Sequence, residues 1–252
     1  MKRLSPFPLG LVLAIAAVLS VPLAAPAQAP KTIDLPKPQT TGGMPLMEAL
    51  SARRTSREFG PEKLAPQMLS NLLWAAFGVN RTEIIGRGPN PGRTAPSGMN
   101  MQEIDLYAAF PDGVYLYEAI PHRLTLVTDK DVRAMTNGRP AAGTAPLCLI
   151  FVEDQDKRPT MPAGARPAGA PPAAAPPAAA KPAGAPPAAG PRATAGEVDC
   201  GFIGQNVYLF AASAGLNAWF YATDRDGLAK ALNLRPGQKV LYGQAVGHPK
   251  KP

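Results

Sequence analysis

The sequence predicts an α+β fold, a mainly antiparallel sheet flanked by helices. Three observations lead there. Short alternating apolar runs, 103–110 and Val114–Tyr117, flank a Pro111-Asp-Gly113 turn and read as a hairpin. Two longer runs, Pro66–Phe77 and about Glu197–Ala214, repeat apolar residues at helical spacing. The full order is helix, helix, strands, helix, strand, long helix, strand, helix, strand, which places helices over an antiparallel sheet.

Three stretches fall outside that domain. Residues 1–29 have a charged start (Lys2, Arg3), an apolar run from Leu9 to Leu19 and small residues at Ala25-Pro-Ala27, the pattern of a secretory signal peptide. The run is too short for a bilayer, which takes about 20 apolar residues. There is no twin-arginine pair and no cysteine for lipid attachment, so the sequence predicts cleavage near Ala27 or Ala29 and a soluble secreted or periplasmic protein. An uncleaved anchor is the alternative. Residues 157–196 are almost wholly Ala, Pro and Gly, with no large apolar side chain beyond Met161. Such a segment cannot bury enough surface to offset its ordering, and it reads as a surface insertion, or alternatively an interaction tether. Residues 30–43 read as an extended leader. Residues 44–156 and 197–250 are left as one domain of adequate size.

The chain carries a net charge of +8, and loss of Lys2 and Arg3 lowers it to +6. The basic residues are scattered, with no aromatic-interleaved basic stripe, so nucleic acid is not the indicated partner. Cys148 and Cys200 are too few for a disulfide scaffold. Export would permit one bridge between them, yet Cys148 lies in an apolar run that suits a buried thiol.

Taken in order, Pro45 opens a helix through about Arg53, with Leu46, Met47, Ala49 and Leu50 on its buried side. The helix Pro66–Phe77 stops at Gly78, with Trp74 and Phe77 as core residues, and residues 79–92 form a polar loop. After the hairpin, Arg123–Val127 extends the antiparallel part. Thr128 and Asp131 suit a capping box for a short helix through Met135, and Ala145–Val152 is a buried strand. The long helix carries Phe202, Ile203, Val207, Phe210 and Ala211 and ends at Gly215. Asn217–Ala222 is a short strand, Thr223 and Asp226 cap a helix to about Leu234, and Lys239–Val246 is the last strand.

Two stretches carry polar chemistry. The loop Gly92–Gln102 runs straight into a strand, and Ser97, Asn100 and Gln102 offer the paired donors and acceptors that suit a flat heterocycle such as a flavin or a base. The bland reading is a capped turn. Arg53-Arg-Thr-Ser-Arg-Glu-Phe59 sets three arginines and two hydroxyls within five residues, a donor set suited to phosphate or otherwise a solvated helix end. No G-x-G-x-x-G follows a strand and no G-x-x-x-x-G-K-[ST] is present. His122 and His248 lack metal-ligand companions, and Ser97 lacks a nucleophile-elbow context. If the protein is an enzyme, a bound cofactor carries the reactive chemistry.

These residues resemble a known family. Arg53–Phe59 is similar to the R-[RH]-[ST]-x-[RK]-x-F signature of nitroreductase-type FMN-dependent oxidoreductases, and Pro96–Gln102 to their P-S-S-x-N-x-Q loop. Arg93-Thr-Ala-Pro-Ser97 resembles the R-T-A-P-S form of the thiazoline/oxazoline dehydrogenase branch. Gly204-Gln-Asn206, Gly215-Leu216 and Val246-Gly247-x-Pro249 fit the later family pattern in register.

The resemblance implies a nitroreductase-like fold and a homodimer with FMN at the subunit interface. By it, Arg53, Arg54 and Thr55 hold the FMN phosphate and ribityl chain, helped by Lys250 or Lys251. Arg57 stabilises charge near N1 and the C2 carbonyl; Pro96, Ser97 and Asn100 line the ring, with Gln102 supporting the loop. Ala222 and Thr223 stand where the family often has Gly-Gly beside N5, which narrows access there. The implied activity is ping-pong reduction of electron-poor acceptors, nitroaromatic or quinone type, by a small-molecule donor. A flavin-binding or flavin-free non-enzymatic descendant with a binding or structural role is the competing reading.

Overall fold

Strand β7, Leu147–Asp154, runs through the middle of the molecule with all eight residues buried. Its alternation sorts the core. Leu147, Leu149 and Phe151 join one apolar cluster, while Cys148, Ile150 and Val152 join a second on the opposite face. The computed structural model describes residues 31–83, 90–157 and 194–251. The predicted signal peptide and nearly all of the predicted insertion lie outside the described residues.

Seven strands pair antiparallel around β7. They are β1 (Thr32–Asp34), β4 (Ile104–Phe110), β5 (Gly113–Glu118), β6 (Arg123–Thr128), β7, β8 (Asn217–Tyr221) and β9 (Gln238–Gly247), in the order β1-β6-β5-β4-β7-β9-β8. Two helices cover one face, α2 (Pro66–Phe77) through Leu69, Leu72, Leu73 and Ala76, and α3 (Ala195–Ala214) through Cys200, Ile203, Val207 and Ala211. The short α1 (Leu46–Ala52) rests on α3, and α4 (Arg225–Ala231) covers the other face through Leu228. The predicted α+β class and mainly antiparallel sheet are the observed ones. At the end of α3, Gly215 takes the left-handed conformation (φ 67°) and its N–H closes on the Ala211 carbonyl, the predicted stop.

The structure departs from the sequence reading in six places. The leader is not merely extended, for Thr32–Asp34 adds an edge strand to β6. Only Ala49 of α1 is buried; Leu46, Met47 and Leu50 stand 63%, 74% and 43% exposed, because a two-turn helix lying on α3 can turn one narrow stripe inward. Within the predicted polar loop 79–92, Val79–Arg81 (β2) and Gly92–Arg93 (β3) pair as a small ribbon; residues 84–89 lie outside the described ones. No helix forms over 128–135. The Asp131 carboxylate takes both the Arg133 backbone N–H and its guanidinium, at 2.7 to 3.0 Å, and the Thr128 hydroxyl takes the Lys130 N–H, a set of local bonds that competes with a helical turn. Helix α3 starts at Ala195, two residues early, because Thr194 and Glu197 form a reciprocal capping box. Helix α4 is capped by Asp224, whose carboxylate accepts the Gly227 N–H, because the Thr223 hydroxyl is spent on the Met135 carbonyl at 2.5 Å; the helix ends at Ala231.

Both cysteines are free and buried. Burial pushes the Cys148 thiol up to about 11, and its Sγ–H donates to the Ala142 carbonyl at 3.3 Å.

Candidate active site

Beyond α1 the chain straightens and runs along β8 as an extended strap. Ser56 N–H donates to the Ala218 carbonyl at 3.0 Å, Asn217 Nδ2 to the Glu58 carbonyl at 2.6 Å, and Gly60 N–H to the His248 carbonyl at 2.9 Å. An extended chain turns alternate side chains to opposite sides. Arg53 lies over the Tyr208 ring at 5.6 Å, Thr55 Oγ1 meets the Tyr208 hydroxyl at 3.1 Å, and Arg57 lies over Trp219 at 5.0 Å. Tyr208 Oη accepts the Phe220 N–H at 2.8 Å, which leaves its own hydrogen for Thr55. Arg54 and Ser56, the intervening residues, line a cleft of about 330 Å³ together with Asn217 and Pro249. Among the described residues, Arg53, Arg54 and Arg57 have no carboxylate at ion-pair distance. Arg53 and Arg57 are held by aromatic faces, which orient a guanidinium without neutralising it, whereas Arg54 lines the cleft.

The second predicted group is a closed knot. Gln102 is 4% exposed; its Oε1 accepts from Arg93 Nε at 2.6 Å, and its Nε2 donates to the Pro91 carbonyl at 2.6 Å and to Asn100 Oδ1 at 2.8 Å. Asn100 Nδ2 donates to the Asn90 carbonyl, and Ser97 Oγ accepts the Gln102 N–H at 2.8 Å while facing the buried Glu103 carboxylate at 3.3 Å. Met99, Asn100 and Gln102 all hold positive φ, between 51° and 56°. That conformation costs a non-glycine residue on the order of 1 kcal/mol or more and persists where surrounding bonds over-determine it. Pro96 is exposed beside this knot. Arg93 is its organiser, stacked on Phe77 at 5.0 Å and donating to the Phe77 carbonyl at 3.1 Å, with burial drawing its guanidinium below the ordinary value.

Within one chain these groups sit at opposite ends of the sheet. The knot leads into Ile104, which pairs with Glu153 at the end of β7, whereas the strap lies beside Asn217 and Gly247, level with Leu147 at its start. A strand of this length separates them by on the order of 20 Å.

The nitroreductase family model matches residues 50–248. The chain belongs to the nitroreductase family. A candidate nitroreductase of Ralstonia eutropha JMP134 is 35% identical, with 88% of this chain and 90% of that chain covered and a TM-score of 0.70. A candidate nitroreductase of Anabaena variabilis ATCC 29413 is 16% identical over 88% of this chain and 42% of that chain (TM-score 0.59). The NADPH:FMN oxidoreductase of Vibrio harveyi is 18% identical over 82% of this chain and 69% of that chain, with a TM-score of 0.50, a likeness of fold. No curated protein matches.

Other positions singled out by the nitroreductase pattern have visible roles. Gly204 lets α3 close on the sheet: a Cβ there would stand 2.9 Å from the Phe220 ring. At the end of β8 the Ala222 carbonyl accepts from Arg139 Nη1 at 3.3 Å, and buried Thr223 is turned towards Met135. Lys250 and Lys251 are exposed beside Pro249 at the strap end, and Lys251 pairs with Glu62 at 3.2 Å. The Glu62 carboxyl is held below its ordinary range by its own backbone N–H and then by Lys251. The structure thus gathers Arg53, Arg54, Thr55, Arg57 and the two lysines at one end, and Pro96, Ser97, Asn100 and Gln102 at the other. Tyr208 and Trp219 are the members the sequence reading did not single out, and Arg93, quoted there only within the Arg93–Ser97 motif, turns out to organise the knot. Tyr208 sits in an apolar helix where an aromatic reads as core, and only the alternation of Arg53, Thr55 and Arg57 signals a shared platform.

Proposed function

We propose that this nitroreductase-family oxidoreductase is an exported, FMN-dependent enzyme that works as a symmetric pair. The carrying observation is the strap, where Arg53 and Arg57 stand over fixed aromatic rings, Thr55 bonds one of them, Arg54 lines an open cleft, and none of the three guanidiniums has a carboxylate partner among the described residues. That donor set fits a phosphate, which takes charge-assisted bonds from Arg53 and Arg54 and a neutral one from Thr55, with Lys250 or Lys251 adding charge. Arg57, held by Trp219, is the residue suited to a ring edge that gains negative charge. When bound, FMN supplies two-electron chemistry, taking electrons from a small donor and passing them to an electron-poor acceptor of the nitroaromatic or quinone type in ping-pong order. The chain's own part is to hold, orient and electrostatically bias that group.

Because strap and knot lie at opposite sheet ends, a ring touching both needs the strap of one copy and the knot of another. Leu46, Met47 and Leu50 on α1 and Val198 and Phe202 on α3 form exposed apolar surface suited to that contact. Residues 1–29 carry the reading of export, and a donor outside the cytoplasm would then be a reductant other than a nicotinamide. Among the described residues no helix is long and apolar enough to cross a membrane.

The visible spectrum of the purified mature protein tests the cofactor. Flavin bands that bleach with dithionite and return with a quinone are the expected result; a colourless protein that fails to take up added FMN would overturn it. The competing non-enzymatic reading draws on the knot, whose amides are spent on one another, and on Ala222-Thr223; FMN uptake without turnover would favour it.

A further inference from the structure

Residues 32–39 cross the sheet edge and α2 as an arm, and its fastenings converge on His122. β1 pairs with β6, and Leu35 N–H donates to the His122 carbonyl at 3.2 Å. From one face of α2, Gln67 Nε2 donates to the Lys37 carbonyl at 3.0 Å and Asn71 Oδ1 accepts the Gln39 N–H at 2.8 Å. Between them the buried Ser70 hydroxyl lies 2.5 Å from the Pro36 carbonyl and 2.8 Å from His122 Nε2.

The directions of these bonds are forced. A carbonyl only accepts, so Ser70 spends its single hydrogen on Pro36 and meets His122 with a lone pair. His122 Nε2 therefore carries a proton. Nδ1 is then the acceptor in a neutral ring, and the Tyr117 hydroxyl, 2.9 Å away, donates to it. Of the neutral rings only the Nε2–H tautomer satisfies all three bonds. A doubly protonated ring keeps the Ser70 bond but makes the Tyr117 hydroxyl turn its own hydrogen away, and that hydroxyl has no other side-chain hydrogen bond among the described residues.

We propose that this relay is a pH-sensitive latch: a proton on His122 Nδ1 displaces the Tyr117 hydrogen from its acceptor and sets an uncompensated charge beneath the arm, which loosens residues 32–39 and opens the apolar cavity beneath them. That cavity, of about 200 Å³, has Ile33 and Leu35 of the arm as one wall and Leu69, Phe110 and Leu124 as others.

The surroundings offer the extra proton no counter-charge. On β5, the Tyr117 phenol is raised by burial and stays neutral, and the nearby charge it meets is the cation Arg93. Glu118, next on β5, is taken by Arg123 of β6 at 2.5 Å. On the arm, Asp34 and Lys37 point to solvent, and the face of α2 presents Gln67, Ser70 and Asn71. Burial lowers the His122 pKa, opposed by the Pro36 carbonyl. Because the docked value lies below the free one of about 6.5, docking is complete above that pH and is lost as pH falls through it towards the docked value.

His122 and His248 are the only histidines, so imidazole NMR of the intact mature protein reads each one separately. The expected result is an Nε2–H tautomer at pH 7.5 and a His122 midpoint below its ordinary value. Hydrogen exchange over residues 32–39, corrected for intrinsic rates, should quicken about ten-fold at pH 5 while β7 stays protected, with a rise in binding of an apolar dye. His122→Asn, which tolerates the left-handed backbone at this position (φ 51°), should make residues 32–39 insensitive to pH. Tyr117→Phe should shift the arm's transition together with the His122 midpoint, since Nδ1 loses its side-chain partner, and this variant decides the matter if His122→Asn does not fold: an arm whose transition does not follow the midpoint overturns the latch. An Nδ1–H tautomer, or equal corrected protection of residues 32–39 at the two pH values, overturns the latch.

Discussion

Along residues 53–57 the Arg53 and Arg57 guanidiniums lie over aromatic rings and, like Arg54, have no carboxylate partner among the described residues. Along 97–102 the polar side chains bond one another and neighbouring carbonyls, with both Gln102 amide hydrogens and one of Asn100 in use. The residue types are similar, but their placement differs. The strap lies on the outside of β8 with solvent on one side, whereas the knot is wedged between the β2–β3 ribbon and the start of β4, where an amide without a partner would cost about 1–3 kcal/mol. A side chain that faces solvent can be spent on a ligand, while one that closes a turn contributes shape. The strap should therefore govern affinity for an anion, and the knot should govern the contour presented to a neighbouring molecule.

The sharpest way to break this comparison is to separate the regions onto different chains. Arg53→Ala and Asn100→Ala, each poorly loaded alone at limiting FMN, should recover about a quarter of wild-type sites after unfolding and refolding together, because half of the pairs are mixed and each holds one intact site. No recovery, with both variants folded, would place the whole site in one chain. Next in size is Gln102→Ala. It strands Arg93 and the Pro91 carbonyl, and should lower stability by about 3 kcal/mol in urea denaturation with little change in the slope. Arg53→Ala should weaken FMN binding about 10- to 100-fold by fluorescence titration with stability nearly unchanged, the reverse of Gln102→Ala. The smallest effect is that of Arg57→Lys, which keeps the charge but loses the planar stack on Trp219; a few-fold change in FMN affinity is expected.

Much of this was legible in the chain, and the residues show why. Helix α2 and the hairpin of β4 and β5 follow from period and punctuation, since Pro66, Gly78 and Pro111-Asp-Gly113 act locally. The left-handed stop at Gly215 is equally local. What escaped depends on distant partners. Thr32–Asp34 becomes a strand only because β6 leaves an open edge, and the Asp131 carboxylate turns to Arg133 instead of capping a helix. Leu46, Met47 and Leu50 have the pattern of a buried face, and nothing in seven residues tells whether the partner is the same molecule or another. The arginines of the strap stand out by composition as a donor set suited to an anion. The rings beneath them do not, because Tyr208 and Trp219 lie more than 150 residues away in the chain.

The two sulfurs sealed inside the β-sheet's opposite faces bear on how the molecule matures. Cys148 stays protonated far into the alkaline range, and neither thiol is offered to an oxidant or to a neighbouring chain. The covalent connectivity is therefore the same in oxidising and reducing surroundings, and folding requires no oxidase and no reshuffling catalyst.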